Sequence, residues 1–242
     1  MTDSEQAGVD PEQAAADAKQ AGCERARMFA AELLPGGDPS AWFDAFYQDA
    51  AGDAERIPWA DREGHPMLID WLRTSQVRGT GRRALVVGCG LGEDAALLER
   101  AGFAVTAFDV SPTAVEWCPR IWPDAHIDFR TANLFDPPAA WARAFDLVVE
   151  IYTLQALPLE PRSQAVERIA EFVAPGGELL VVTRGRAPEE VLQDQLPWPL
   201  LRADLDLLET HGLVCERFEE KLEADALSMR RWRALYRRPP EE

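Results

Sequence analysis

From residue 84 onward, short apolar runs alternate with stretches of helical spacing. The runs are Ala84–Val87, Ala104–Phe108, His126–Arg130, Phe145–Ile151 and Glu178–Thr183, and the helical stretches are 94–101, 112–118 and 161–173. Alternation at this spacing predicts βαβ units and a parallel sheet covered on both faces. Two further strands are expected near Leu213–Glu219 and Arg231–Arg237. The connection 220–230 carries no helical pattern, so these two read as an antiparallel pair. The expected fold class is α/β: a doubly wound, mostly parallel sheet of seven strands.

Before residue 84 the pattern is helical. One helix is expected over Cys23–Leu34, stopped by Pro35-Gly36-Gly37. A second runs from Pro39 to Ala50, with Asp38 or Ser40 as its cap and Trp42, Phe43, Phe46 and Tyr47 as its aromatic set. A third covers Met67–Ser75 with Leu68, Ile69, Trp71 and Leu72. Residues 1–20 are rich in acids and alanine and hold no aromatic, so they cannot bury a core of their own and read as a frayed tail or a loosely docked helix. The expected organisation is a flexible acidic tail over 1–22, a helical cap over 23–80 and an α/β core over 81–242.

Charge narrows the choice of partners. The 242 residues carry 25 Lys+Arg against 42 Asp+Glu, a formal net charge of −17. A nucleic-acid partner needs a basic face, and this surplus of acid opposes one. No apolar run approaches the roughly 20 residues of a membrane helix. The start of the chain, with Asp3 and Glu5, lacks the basic-then-apolar order of a signal peptide, so a cytoplasmic protein is expected. Cys23, Cys89, Cys118 and Cys215 are scattered, with neither metal-ligand spacing nor the density of a disulfide framework, so no metal is expected.

The chemistry concentrates at the ends of the apolar runs. The first ends in Gly88-Cys89-Gly90-Leu91-Gly92-Glu93-Asp94 and leads straight into a helix. Glycines there let backbone N–H groups approach a ligand at the edge where open α/β sheets bind them. A dinucleotide fingerprint would need a glycine where this chain has Glu93, and a carboxylate there would face a pyrophosphate. The second run is followed by Asp109, which can accept hydrogen bonds from both hydroxyls of a ribose. Ser111-Pro112 is placed to cap the next helix, which leaves Asp109 free. After the third run, Asn133 offers an amide to an adenine edge or serves as a turn residue. The fourth run ends in Glu150-Ile151-Tyr152, and Pro175-Gly176-Gly177 precedes the fifth.

Residues 82–183 resemble a class I S-adenosylmethionine-dependent methyltransferase. The resemblance rests on the glycines 88, 90 and 92, Asp109, Ala132-Asn133, Phe145–Val149, and Val173-Ala174-Pro175-Gly176-Gly177. It implies a seven-stranded sheet with a reversed last strand. It also implies S-adenosylmethionine as cofactor, with S-adenosylhomocysteine as product. Gly88, Cys89, Gly90 and Gly92 would pass under its methionine part, Asp109 would hold the ribose, and Val110, Ala132, Asn133 and Leu134 would frame the adenine. Glu150 and Ile151 would line the floor. The family's usual acidic residue two places before the first glycine is replaced here by Val86. Contact with the methionine amino group then falls to Glu150 or to backbone carbonyls. The segment Ile57-Pro58-Trp59 to His65-Pro66 is similar to the entry segment of thiopurine- and thiol-methyltransferases, in which the tryptophan packs over the cofactor; only Trp59 is carried over.

The expected activity is methyl transfer to a small-molecule acceptor by direct displacement, with proximity and orientation as the protein's main contribution. Glu150, Tyr152 and His65 are the candidates for a base. Each has a plain structural alternative: an arginine-paired strand end for Glu150, core packing for Tyr152, a loop residue for His65. His126, at the head of a buried strand, and His211, at a helix end, read as structural. Two other functions stay open: an NAD(P)-type enzyme on the same fold, and a degenerate methyltransferase fold that only binds. The acceptor atom and the oligomeric state are not legible in the sequence.

Overall fold

The computed structural model describes residues 11–60, 62–192, 196–222 and 230–241. Its strands are β1 (Arg83–Val87), β2 (Ala104–Asp109), β3 (Asp128–Thr131), β4 (Phe145–Ile151), β5 (Val173–Gly185), β6 (Val214–Leu222) and β7 (Arg230–Arg237). They form one sheet in the order β3-β2-β1-β4-β5-β7-β6. The first five are mutually parallel, and β7 runs antiparallel to both β5 and β6. The strand order reverses between β1 and β4, and this switch point opens a crevice at their C-terminal ends.

The helices are α1 (Pro11–Leu33), α2 (Ala41–Ala50), α3 (Pro66–Thr74), α4 (Glu93–Arg100), α5 (Pro112–Ile121), α6 (Leu159–Phe172) and α7 (Arg202–Thr210). Successive residues of a strand face opposite sides, so an unbroken apolar run feeds two cores at once. Leu85, Val87, Val148 and Val181 pack with Ile169 of α6 and with Leu205 and Leu208 of α7. Ala84, Val86, Leu147 and Val149 pack with Leu68 and Trp71 of α3 and with Leu98 of α4. A third cluster joins Ala26 and Ala30 of α1 and Trp42, Phe46 and Tyr47 of α2 to Leu91, Ala114, Trp117, Leu196 and Trp198. That cluster roofs the β1–α4 turn. Trp42, Phe46 and Tyr47 are buried completely, and each such side chain contributes on the order of 2–3 kcal/mol.

Several elements differ from the sequence reading. The first helix begins at Pro11 rather than Cys23, so residues 11–22 take the helix, of the two forms expected, and not the tail. Pro11 suits a first helical position, and the alanine-rich stretch extends a helix whose later turns dock through Ala26 and Ala30. Residues 1–10 lie outside the described residues. Helix α3 joins the sheet rather than the cap, because Leu68, Trp71 and Leu72 face the same layer as Val86. Strand β3 is the edge of the sheet, so His126 precedes it and is exposed rather than buried. Strand β5 starts at Val173 and absorbs the Pro175-Gly176-Gly177 turn as a register shift opposite Phe145–Leu147. Helix α7 fills the connection between β5 and β6.

Candidate active site

The β1–α4 turn is the centre of the crevice. Gly88 and Gly90 have φ of +61° and +53°, backbone that side-chain-bearing residues avoid. A Cβ on Gly88 would collide with Thr153 Oγ1, and one on Gly90 would lie 3.1 Å from the Tyr47 hydroxyl and 3.7 Å from Trp59 Nε1. The turn is held from several sides. Cys89 N–H donates to Phe108 O, Trp122 Nε1 donates to Leu91 O (both 2.8 Å), and Cys118 Sγ lies 3.4 Å from Gly90 O. Gly92 precedes α4, whose first residue is Glu93.

Asp109 ends β2 and is nearly buried. Its Oδ2 accepts from Gly90 N–H and its Oδ1 from Ser111 N–H, each at 2.9 Å. The carboxylate therefore fastens the glycine turn to the start of α5, and each oxygen keeps a second acceptor site. Burial pushes its pKa up, against the opposing pull of the backbone donors. Ser111 caps α5 as the sequence predicts, its hydroxyl accepting from Ala114 N–H at 3.0 Å.

Two residues of α2 complete this wall and carry no motif. Asp44 Oδ1 accepts from the Ser111 hydroxyl at 2.7 Å and from Thr113 N–H at 3.1 Å, which pins the cap to the head of α5. Burial works against ionisation of Asp44, but these bonds leave its pKa below the ordinary value. The Tyr47 hydroxyl accepts from Trp59 Nε1 at 2.8 Å. Burial, with the Asp109 carboxylate nearby, pushes this phenol well above its ordinary pKa. The signal for both is the amphipathic spacing of α2, which places Asp44 and Tyr47 on neighbouring turns of one face.

After β3, Ala132 N–H donates to Asp109 O at 3.0 Å, and Leu134 is buried. Asn133 Oδ1 accepts from Phe135 N–H at 2.9 Å, which commits its oxygen to the turn and leaves its NH₂ outward. Val110 is half-buried beside Asp109. Asn133 and Phe135 line a cavity of about 390 Å³ with Gly37, Asp38 and Pro39. A larger cavity of about 740 Å³ adjoins it, with Gly37, Pro39 and Pro161 common to both. Ala30, Leu34, Pro158, Leu196 and Trp198 form its apolar walls, and Arg27 and Glu160 add charge.

The third group of residues follows β4. Glu150 is completely buried; its Oε1 accepts from Leu154 N–H at 2.9 Å, and its Oε2 has no hydrogen-bond partner among the described residues. Burial pushes its pKa up to about 7, although backbone donors and Arg162 pull the other way. Arg162 itself bonds Leu157 O, Trp198 O and Asp204, so the arginine pairing expected of Glu150 is a through-space attraction, not a contact. Ile151 is half-buried against the α3–α4 layer. Tyr152 takes a φ of +65°. Its hydroxyl lies 3.1 Å from His65 Nε2. His65 Nδ1 accepts from Met67 N–H at 3.2 Å, which assigns the ring proton to Nε2. His65 is thus the N-cap of α3 and a donor to Tyr152, two roles that leave the neutral ring no nitrogen on which to take a proton. Among the described residues no three His, Cys, Asp or Glu side chains gather into a metal site, and no helix is long and apolar enough to cross a membrane.

A doubly wound sheet with a glycine turn at its switch point and an acid at the end of the next strand defines a protein that binds a nucleoside-type cofactor. The comparisons narrow this. Residues 84–177 match the methyltransferase domain family. It is 29% identical over 144 residues to the ubiquinone biosynthesis O-methyltransferase of Azotobacter vinelandii, a match that covers 55% of this chain and 61% of that protein. The chain thus aligns with less than two thirds of that relative's length. Two solved structures share the fold. The N-methyltransferase NodS of Bradyrhizobium japonicum WM9, in complex with S-adenosylhomocysteine, is 21% identical with a TM-score of 0.60, over 80% of this chain and 98% of that one. The Burkholderia thailandensis 1,6-didemethyltoxoflavin-N1-methyltransferase is 16% identical with a TM-score of 0.65, over 84% and 91%.

Proposed function

We propose that this protein transfers a methyl group from S-adenosylmethionine to a small-molecule acceptor by direct displacement, as a cytoplasmic enzyme. The observation that carries the proposal is the Asp109–Gly90 bond, which holds a carboxylate and a bare backbone turn together at the sheet's switch point. The residues present fit the cofactor. Asp109 retains acceptor sites for ribose hydroxyls, the Asn133 NH₂ would serve an adenine edge, and Glu150 Oε2, without a partner among the described residues, would be a buried acceptor for an ammonium group. Gly88, Cys89, Gly90 and Gly92 would carry the methionine part, with Val110, Ala132, Leu134 and Ile151 as apolar walls and Trp59 above. Glu93 in place of a third fingerprint glycine weighs against an NAD(P)-type reading.

When bound, S-adenosylmethionine supplies a methyl on a sulfonium that an acceptor nucleophile can displace in line. The chain's own residues orient and enclose the site. The Trp42–Phe46–Tyr47–Trp59 roof excludes water, and its aromatic faces attract positive charge. His65 holds the Tyr152 hydroxyl in place by donating to it. Tyr152 and Glu150 are the groups that could relieve an acceptor of a proton, and an acidic acceptor such as a thiol needs neither. The cavity walled by Leu34, Pro158 and Trp198 is of a size for a small molecule.

Calorimetry with S-adenosylhomocysteine tests this. Wild type should bind in the micromolar range, and Asp109→Ala should weaken binding about a hundredfold, the effect of losing two charge-assisted hydrogen bonds. No binding by wild type, or equal binding by both, overturns the assignment.

A further inference from the structure

Arg184 lies at the C-terminal end of β5, on the crevice edge of the sheet and one strand over from Tyr152. Its position is fixed: Arg184 N–H donates to Gln155 Oε1 at 2.6 Å, and Arg184 O accepts from Leu200 N–H at 2.9 Å. Directly opposite on β7 is Arg231. Like charges facing each other across an antiparallel pair repel, so this pairing by itself opposes the strand contact. Arg184 Nε is buried without a hydrogen-bond partner, and among the described residues no carboxylate pairs with its guanidinium. The groups that bear on it are Tyr152, Arg231, Cys23 and Arg27.

The contrast with its neighbours is sharp in a chain with 42 acids. On β7, Arg230 pairs with Glu220, Arg233 with Asp70 and Glu219, and Arg237 with Glu178 and Glu216. Arg27 reaches across from α1, lines the 740 Å³ cavity and, among the described residues, donates from its Nε to Leu196 O at 2.8 Å. Arg27 thus lines the cavity, and Arg184, close enough to feel its charge, keeps a buried Nε without a hydrogen-bond partner. A guanidinium keeps its charge when buried, and its fork matches a carboxylate with two parallel hydrogen bonds.

We propose that Arg184, assisted by Arg27, binds a carboxylate on the methyl acceptor. This rests on the methyl-transfer reading above and names the substrate class of that site: a small, largely apolar molecule bearing one carboxylate. The −17 net charge keeps polyanions away from the surface, and the recessed arginines admit a single small anion.

Titration calorimetry on protein saturated with S-adenosylhomocysteine tests it, with benzoate, benzamide and inorganic phosphate as probes. Benzoate should bind at least about tenfold more tightly than benzamide, the usual margin of a charge-assisted pair. Arg184→Gln should remove that margin, and Arg184→Lys should keep part of it. The melting temperature of Arg184→Gln should hold or rise, because a like-charge pair is relieved; a purely structural arginine would lower it. Equal affinity for benzoate and benzamide, tighter binding of phosphate than of benzoate, or an unchanged margin in Arg184→Gln overturns the proposal. If S-adenosylhomocysteine does not bind at all, the functional reading fails by itself, and the same titrations on the free protein still decide the carboxylate site.

Discussion

Replacing Glu150 by glutamine isolates the cost of burying a carboxyl at the heart of the site. Glu150 is completely buried, with one oxygen on Leu154 N–H and the other unpartnered among the described residues. Burial raises its pKa from 4.5 to about 7. Between these two values the folded protein holds a proton that the unfolded chain has released. Stability therefore falls as pH rises through that window, and the favourable contribution is complete only below 4.5. The full difference corresponds to about 3 kcal/mol. Glutamine cannot ionise, and its amide oxygen can still accept from Leu154 N–H. Below pH 4.5 the variant and wild type should be equally stable to within about 1 kcal/mol. By about pH 8 the variant should be the more stable by about 3 kcal/mol. Urea unfolding of the cofactor-free proteins across this range reads the difference directly. Contributions from distant carboxylates cancel between the two proteins. Parallel stability curves, or an advantage that grows toward low pH, would refute the argument.

Two further expectations concern the surroundings of the site. His65→Ala removes the N-cap of α3 and should cost about 1 kcal/mol in urea unfolding, while His65→Asn, a good capping residue, should recover most of it; equal loss in both means that the ring's cap bond contributes nothing. Iodoacetamide should label Cys23 and Cys215 first in the folded protein, leaving buried Cys89 and Cys118 intact, because the hydrogen bond with Cys118 and burial push the Cys89 thiol well above its ordinary pKa. Peptide mass spectrometry would contradict this by finding Cys89 among the first sites modified.

Much of the α/β core was legible. Each of the seven strands overlaps its expected place, and for β1, β2 and β4 the reason is that a strand buried on both faces is a short, unbroken apolar run with turn residues at its ends. The register shift at Val173–Glu178 and the edge position of β3 were not legible, since both depend on which strands become neighbours. The glycine turn and Asp109 were visible as residue types at a fixed spacing. That Asp109 fastens Gly90 and Ser111 was not, because those bonds join segments brought together by folding. His65 illustrates the same limit: a histidine before a proline reads as a loop residue, and only the meeting of α3 with the end of β4 turns it into a helix cap facing Tyr152.

The sequence by itself determined the class of fold and the glycine turn, because periodicity and glycine placement are local properties of the chain. Only the tertiary structure decided how the aromatic cap roofs the glycine turn, why burial raises the Glu150 pKa, and that Arg184 meets no carboxylate among the described residues. Those depend on desolvation and on distances between residues far apart in the chain, and no local pattern encodes them.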